Sequence, residues 1–268
     1  PHVVEGLKTE GCETGTVEFR DVSFRYPHAA ADELEHISFR VERGQTLAII
    51  GATGSGKTTL AGLIPRFYDA TQGTVLVDGV DVRDYTFDAL YDRLGYGTQK
   101  AVLFSGTVQD NIFFGQSEAA DTDETLQQAL QLSQAAEFVD RYPEKAAHPI
   151  AQLGRNVSGG QKQRLSIARA LARRPEILIF DDSFSALDYK TDATLREGLA
   201  KELPGTTKII VAQRISTIRN ADQILVLDRG EIAGLGTHDA LMASCTVYRE
   251  IAMSQLSEEE LKKGGASK

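Results

Sequence analysis

The residues of this chain that could do chemistry begin with a glycine-rich run, Gly51-Ala-Thr-Gly-Ser-Gly-Lys-Thr58. The run fits the pattern G-x-x-x-x-G-K-[ST], in which glycines allow backbone N–H groups to turn inward around a phosphate. In that pattern the lysine reaches the outer phosphates of a nucleotide, and the hydroxyl that follows it binds Mg²⁺. The run therefore predicts a phosphate-binding loop for a nucleoside triphosphate, and a merely flexible glycine loop is the alternative.

A carboxylate closes an apolar run further along the chain, Ile177-Leu-Ile-Phe-Asp181. On its own, an acid after a buried strand often marks only the turn that follows. Beside a phosphate-binding loop, however, this is where a carboxylate that supports Mg²⁺ is expected. Asp181 is therefore a candidate partner of Thr58 at a Mg²⁺–nucleotide site.

Alternating strands and helices must position these residues. Polar and apolar residues alternate in the first part of the chain with a register change near Asp21, which predicts half-buried strands. Continuous apolar runs predict strands buried on both faces. Strands that alternate with helices favour an α/β fold with a mainly parallel sheet. The predicted buried strands are 46–50, 177–180, 208–212 and 223–227, and the predicted helices are 57–67, 123–142 and 161–172.

Composition narrows the class of protein. The chain has 268 residues, of which 41% are hydrophobic and 25% are charged, which is typical of a globular protein. Its net charge of −9 disfavours binding to a long phosphate backbone, so we expect no nucleic acid partner. No apolar run approaches the roughly 20 residues that span a bilayer. The two cysteines, Cys12 and Cys245, suggest no disulfide framework, and a reducing, cytosolic setting is the default expectation.

One segment narrows the function further, Val157-Ser-Gly-Gly-Gln161-Lys-Gln-Arg164. Taken alone, it could be a serine N-cap with a glycine turn. Following a phosphate-binding loop and preceding the Asp181 strand, it resembles the signature sequence of ATP-binding-cassette (ABC) proteins. In that family the signature faces the γ-phosphate of ATP held on the opposite subunit, and backbone amides at a helix N-terminus suit an anion.

The resemblance extends over about residues 16–250 and implies roles for further positions. Tyr26 looks like the family's adenine platform, although it could equally be a core residue. Gln99 resembles the glutamine that contacts Mg²⁺ and water and links to the transmembrane domain. The segment from Ser185 to Asp188 resembles the loop that crosses the dimer interface. The residues expected to bind ATP are Tyr26, Gly51, Thr53, Gly54, Ser55, Gly56, Lys57, Thr58, Thr59, Gln99, Ser158, Gly159, Gly160 and Gln161, and those expected at Mg²⁺ are Thr58, Gln99 and Asp181.

Within the family, the runs Gln99–Ile112 and Gly230–His238 look like the exporter type. The resemblance implies a P-loop NTPase core of the ABC type with a parallel sheet, an N-terminal antiparallel β-subdomain and an inserted helical subdomain. The resemblance implies a single nucleotide-binding domain. Its core would lie in 16–96 and 166–250, its helical subdomain in 97–165 and a tail in 251–268. It also implies ATP, a transmembrane domain and a second nucleotide-binding domain as partners, at the cytoplasmic side of the cell membrane.

Two positions depart from the family pattern. Asp182 stands where the family usually has a glutamate that orients the attacking water, and Gln213 stands where it usually has a histidine at the γ-phosphate. We expect His36 and His238, as surface or loop histidines, not to replace that histidine. Because the signature is intact, the chain resembles the half of a heterodimeric exporter whose own catalytic site is degenerate. The alternative is an active homodimer that tolerates both substitutions.

Other classes of protein fit less well. A soluble ABC ATPase of chromosome maintenance needs a long coiled-coil insertion, and a translation factor of this family usually has two cassettes. A nucleotide-dependent kinase or transferase leaves the signature unexplained. A regulatory module that only binds ATP overlaps with the degenerate-half hypothesis, and a coexpressed partner subunit would separate the two.

Overall fold

The computed structural model describes residues 3–115 and 122–255. The chain forms two compact units: unit 1 is Pro1–Leu90 with Thr207–Lys268, and unit 2 is Tyr91–Thr206. Within the described ranges, no helix combines the length and the apolar character needed to cross a membrane.

Unit 1 contains a four-stranded antiparallel sheet. In the order of the sheet, its strands are β2 (Leu34–Val41), β1 (Val17–Phe24), β4 (Gln72–Val77) and β5 (Val80–Asp81). The expected register change lies within β1, where pairing with β2 shifts between Phe19 and Val22 and Asp21 has a positive φ of 48°. The inward side chains of this sheet are buried, and Phe19 stacks on Phe39 at 4.6 Å between ring centroids. The predicted antiparallel β-subdomain is therefore present.

A second group of strands in unit 1 is mainly parallel. The central strand β3 (Thr46–Gly51) pairs in parallel with β10 (Thr207–Val211) and with β11 (Gln223–Asp228). β12 (Glu231–Gly236) then pairs antiparallel with β11. The side chains at the centre of β3 are fully buried, as the continuous apolar run predicts.

The helix after the glycine-rich run is shorter than predicted. α1 covers Lys57–Leu63, whereas the apolar pattern predicts a helix to Phe67. Pro65 accounts for the early end, because proline has no backbone N–H with which to continue the helical hydrogen bonds. Arg66 then adopts a positive φ of 59°, which ends the helical course of the chain.

In unit 2, the strands β6 (Leu94–Gly97) and β9 (Ile177–Asp181) pair in parallel. The helical stretch predicted over 123–142 is present but divided into two helices, since the chain leaves the helical course at Gln134 with φ 61°. The helix α2 (Phe87–Asp92) includes the last residues of the first segment of unit 1 and the first residues of unit 2. The remaining elements of unit 2 are β7 (Gly106–Thr107), α3 (Val108–Ile112), α4 (Asp123–Leu132), α5 (Ala136–Val139), β8 (Pro149–Ile150), α6 (Gly159–Ala172) and α7 (Tyr189–Glu202).

Three short helices complete the described part of unit 1. They are α8 (Ile215–Ile218), which precedes β11, and α9 (His238–Ser244) and α10 (Thr246–Gln255), which follow β12. The expectation of a surface or loop position for His238 is wrong, because its ring is buried and Nδ1 lies 2.8 Å from the Tyr248 hydroxyl. Burial lowers the pKa of His238, so the neutral ring is favoured. The predicted frayed tail, 256–268, lies outside the described residues.

Candidate functional site

The glycine-rich loop follows the carboxyl end of β3, the most central strand of the parallel group in unit 1. The carboxyl ends of parallel strands are where α/β proteins usually bind ligands. The loop leads directly into α1, which begins at Lys57. The strand–loop–helix context that the phosphate-binding pattern requires is therefore present.

Glycine is required at both ends of this loop. At Gly51, an added Cβ would lie 2.1 Å from the Leu227 carbonyl oxygen. Gly56 has φ 98°, in the left-handed region, and an added Cβ would lie 2.7 Å from Leu34 Cδ2. At Gly54, which has φ 79°, a Cβ would meet no described atom within 4 Å, so the loop there is open on its outer side. The backbone is thus bent into a form that glycine alone adopts without strain.

Two polar side chains of the loop fit a bound phosphate. The Lys57 ammonium donates hydrogen bonds to the carbonyl oxygens of Gly51 and Ala52, at 2.9 and 2.7 Å, so it lies over the loop. The Ser55 hydroxyl is buried and has no hydrogen-bond partner among the described residues. A buried hydroxyl without a partner is costly, and an external acceptor at the loop would satisfy it.

Tyr26 lies beside the first helix after the loop. Its hydroxyl is 2.8 Å from Thr59 Oγ1, and its ring packs edge-on against Phe24 and Tyr68. The side chain is half-buried, so part of the ring remains accessible. Two predicted ATP-binding residues, Tyr26 and Thr59, are therefore in direct contact within unit 1.

In unit 2, Asp181 is the last residue of β9 and is buried. The Tyr96 hydroxyl, from the neighbouring strand β6, donates to Asp181 Oδ2 over 3.4 Å. Burial, together with the Asp181 charge, raises the pKa of Tyr96, so the phenol keeps its proton and can donate. Tyr96 was not predicted as a site residue, and only its position three residues before Gln99 could have indicated it.

Asp182 is buried and has an unusual backbone, with φ 49°. Asn and Asp enter the left-handed region more readily than most residues. Gln99 Nε2 donates to Asp182 Oδ2 over 3.1 Å, so these two predicted site residues are in contact. The carbonyl of Asp182 accepts from the Ser185 hydroxyl at 2.9 Å, which fixes the turn after β9.

The signature segment forms the N-terminus of α6. Ser158 is the N-cap and accepts from the Gln161 N–H at 3.2 Å, while Gln161 Oε1 accepts from the Ser158 N–H at 2.8 Å. This reciprocal pair is a capping box, which fixes the start of a helix. Gly159 and Gly160 form the first positions of α6, and an added Cβ at Gly159 would meet no described atom within 4 Å.

A residue of α6 that the sequence did not single out connects the signature helix to Gln99. Gln163 is buried, and its Nε2 donates to the Thr98 carbonyl oxygen over 2.9 Å. In the same segment, the Ser183 hydroxyl donates to the Gly97 carbonyl oxygen over 2.8 Å. The peptide groups just before Gln99 are therefore held by side chains that follow the signature and Asp182.

The loop that resembles the family's interface loop ends at a helix cap. Asp188 caps α7, and its carboxylate accepts from the N–H and the hydroxyl of Thr191 at 2.9 and 2.7 Å. These hydrogen bonds hold the pKa of Asp188 below its usual range. Gln213 is exposed and lies in unit 1 between β10 and α8.

An aromatic cluster follows Gln99 along the chain of unit 2. Phe104 and Phe114 stack with ring centroids 4.2 Å apart, and the Arg169 guanidinium lies within 6 Å of both rings. Arg169 also donates to the carbonyl oxygens of Asn111 and Val102. Three of these side chains remain about half exposed and form an apolar surface, namely Val102, Phe104 and Phe114. The Arg169 guanidinium packs against the two rings of this surface.

Comparison with known proteins decides the family. The profile described as "ABC transporter" matches residues 34–185, more than half of the chain. The chain belongs to the ABC transporter family. ATPase activity is general for ATP-binding domains of this family, so the expectation of an ABC-type ATPase is confirmed at the level of the family.

Two curated relatives and one solved structure illustrate the similarity. An uncharacterized ABC transporter ATP-binding protein of Mycobacterium tuberculosis (strain ATCC 25618 / H37Rv) is 46% identical over 243 residues, covering 90% of this chain and 41% of the relative. An ATP-dependent lipid A-core flippase of Aromatoleum aromaticum is 41% identical over 259 residues, covering 97% of this chain and 43% of the relative. The structure of a bacterial Atm1-family ABC exporter with ATP bound matches with a TM-score of 0.87 and 35% identity, covering 95% of this chain and 44% of that chain.

These matches confirm the expected fold, an ABC-type P-loop NTPase with parallel strands, an antiparallel β-subdomain and helical elements. They also confirm the resemblance to the nucleotide-binding domain of an ABC exporter. The chain spans less than half the length of the two curated relatives described above.

Proposed function

We propose that this ABC domain binds Mg²⁺–ATP and uses ATP binding, with slow hydrolysis at its own site, to power export by a transporter. The glycine-rich loop is the observation that carries this proposal. Its backbone is bent at glycines, Lys57 lies over it, and the buried Ser55 hydroxyl lacks a described partner. All three features suit the negatively charged phosphates of a nucleotide.

Within unit 1, each part of the loop has a distinct task. Lys57 would exchange its contacts to the loop carbonyls for hydrogen bonds to the outer phosphates, in which donor and acceptor are both ionised. Backbone amides from Thr53 to Thr59 would donate to the phosphate oxygens. The ring of Tyr26 would offer a flat face to adenine, while its contact with Thr59 keeps that ring near the loop.

The proposed Mg²⁺ residues are Thr58, Asp181 and Gln99. Mg²⁺ prefers oxygen ligands, and hydroxyl, carboxylate and side-chain carbonyl oxygens meet that preference. When bound, Mg²⁺ neutralises charge on the phosphate oxygens during transfer. Tyr96 fits this assignment because its hydroxyl donates to Asp181 Oδ2, which helps to hold the carboxylate in place.

We propose that the domain is the degenerate half of a heterodimer. Asp182 is one methylene shorter than the usual glutamate, and its carboxylate accepts from Gln99. Gln213 donates hydrogen bonds but does not become cationic as histidine does. A misplacement of about 1 Å can cost roughly 100-fold in rate, so slow hydrolysis is expected here. The intact signature would complete the catalytic site of the partner subunit.

The transmembrane part of the transporter is the proposed partner of the exposed aromatic cluster after Gln99. The apolar surface of Val102, Phe104 and Phe114 is continuous along the chain with the run that resembles exporters. Relatives of about twice the length leave room for such a part on the same polypeptide. The domain would then act at the cytoplasmic side of the cell membrane, on a drug-like or lipid-like cargo.

Equilibrium binding of a fluorescent ATP analogue tests the nucleotide site. With wild type, we expect removal of Mg²⁺ by a chelator to weaken ATP binding, because the phosphates then lose their counter-ion. In Asp181→Asn, binding with and without Mg²⁺ should become nearly equal. Asp140→Asn, at an exposed position that ends α5, is the control and should keep the Mg²⁺ dependence of wild type. Unchanged Mg²⁺ dependence in Asp181→Asn would contradict the assignment.

A further inference from the structure

The side chain of Gln255, at the end of α10, contacts the backbone of the segment that carries Gln213. Gln255 Nε2 donates to the Gln213 carbonyl oxygen over 2.7 Å. Gln255 Oε1 accepts from the Ile215 N–H over 2.9 Å. One side-chain amide therefore bridges two backbone groups on either side of Arg214, and all of these residues belong to unit 1.

The Ile215 N–H needs an acceptor from outside its own helix. The first N–H groups of a helix have no intrahelical partner, and an N-cap serine or aspartate often supplies one. Arg214 occupies the N-cap of α8 and makes no capping hydrogen bond. An arginine side chain has donors only, so it cannot act as the acceptor. Gln255 supplies from α10 the acceptor that α8 lacks locally.

We propose that Gln255 is a positioning residue, which holds the backbone of Gln213 so that its side chain meets the γ-phosphate of bound ATP. This inference rests on the role given to Gln213 under the proposed function. Two hydrogen bonds fix the backbone immediately after Gln213, and α10 is itself packed against α8 and β11. The segment that carries Gln213 is therefore held by a side chain of the packed helix α10, and not by exposed residues of the segment itself.

Three variants separate this role from a general structural one. Gln255→Met keeps the length of the side chain and removes both hydrogen bonds. Gln255→Glu keeps an acceptor for the Ile215 N–H but replaces the donor to Gln213 with a carboxylate oxygen. Ser254→Ala is the matched control, because the Ser254 hydroxyl donates only to the Ile251 carbonyl oxygen of its own helix.

Hydrogen–deuterium exchange without nucleotide tests the contact itself. In Gln255→Met, we expect exchange of the Ile215 N–H to rise about fivefold to tenfold, the effect of losing one ordinary hydrogen bond. Gln255→Glu and Ser254→Ala should exchange within about twofold of wild type at this amide. Exchange in Gln255→Met that equals wild type would overturn the inference.

The ratio of ATP to ADP affinity tests the functional part, because only ATP has a γ-phosphate. Gln213→Ala shows how far the ratio of ATP to ADP affinity falls when the proposed γ-phosphate contact of Gln213 is lost. We expect Gln213→Ala, Gln255→Met and Gln255→Glu each to reduce the preference for ATP about fivefold, with ADP affinity unchanged. Ser254→Ala should match wild type.

The two proposals fail in different ways. If Gln213→Ala reduces the preference for ATP and Gln255→Met does not, the role of Gln255 is overturned while that of Gln213 stands. If Gln255→Met weakens ATP and ADP binding equally, its role is merely structural and the inference is overturned. If Gln213→Ala leaves the preference unchanged, the γ-phosphate contact of Gln213 is overturned, and the functional part of the inference falls with it.

Discussion

The two helix N-termini that this domain is proposed to offer to phosphates begin in different ways. α1 begins after Gly56, which has left-handed backbone and supplies no side-chain cap, beside the buried Ser55 hydroxyl without a described partner. α6 begins after Ser158, where Ser158 and Gln161 cap each other reciprocally. The start of α1 is thus left to an external anion, whereas the start of α6 is satisfied within the chain.

This difference separates the two proposed tasks. A site with a buried hydroxyl that lacks a described partner gains from a ligand that supplies one, and a ligand that binds only the folded state stabilises that state. A helix start that is already capped keeps its shape alone, as a surface awaiting the phosphate of a partner subunit would require. We therefore expect loss of the Lys57 side chain at the start of α1 to act mainly on ATP binding, and loss of the Ser158 side chain to act mainly on stability.

Replacement of the loop lysine should produce the largest effect. In Lys57→Ala, we expect MgATP affinity to fall by at least about 100-fold, because two charge-assisted hydrogen bonds are worth about 1.5–3 kcal/mol each. Displacement of a fluorescent ATP analogue measures the change. Lys201→Ala, at an exposed lysine near the end of α7, is the control and should bind as wild type does. An unchanged affinity in Lys57→Ala would contradict the assignment of the loop.

Substitution of the glycine before α1 should be the next largest. Gly56→Ala places a Cβ on left-handed backbone and 2.7 Å from Leu34 Cδ2, so we expect a loss of about 2 kcal/mol in the free energy of unfolding. Urea denaturation measures it. Gly159→Ala is the matched control at the start of α6, where a Cβ meets no described atom within 4 Å. Equal stabilities of the two variants would erase the distinction between the helix starts.

Loss of the α6 cap should have a smaller effect. Ser158→Ala removes the acceptor for the Gln161 N–H, and such losses cost about 1 kcal/mol. Ser158→Thr keeps the hydroxyl and should lie within about 0.5 kcal/mol of wild type. Urea denaturation of the three proteins gives the comparison. If Ser158→Ala unfolds with the free energy of wild type, the capping box does not stabilise α6.

Local sequence patterns predicted much of this fold. The strands 46–50, 177–180, 208–212 and 223–227 differ from the observed bounds by a residue or so at one or both ends, because continuous apolar runs are strong signals. The helical stretch predicted over 123–142 is divided at Gln134, which adopts left-handed backbone that no local pattern indicates. α9 and α10 were missed, and so was the buried His238–Tyr248 pair between them.

The candidate site likewise has a part that the sequence predicted and a part that it did not predict. Motif spacing predicted the glycine-rich loop, Asp181 and the signature, since each is a contiguous segment with its own chemistry. The residues that support them come from distant positions and were not predicted. Tyr96 reaches Asp181, Gln163 reaches Thr98 and Gln255 reaches Gln213 only after folding. A single buried or terminal glutamine has no sequence signal that separates it from any other polar residue.

Steady-state ATP hydrolysis by the wild-type chain, beside Asp182→Glu/Gln213→His, tests the central claim most directly. MgATP binding is measured on both proteins, and each single variant serves as a control. We expect tight binding with near-zero turnover in wild type, and turnover about 100-fold higher in the double variant, where carboxylate and imidazole regain their usual positions. Substantial turnover in wild type, equal to that of the double variant, would contradict a degenerate site and favour an active homodimer.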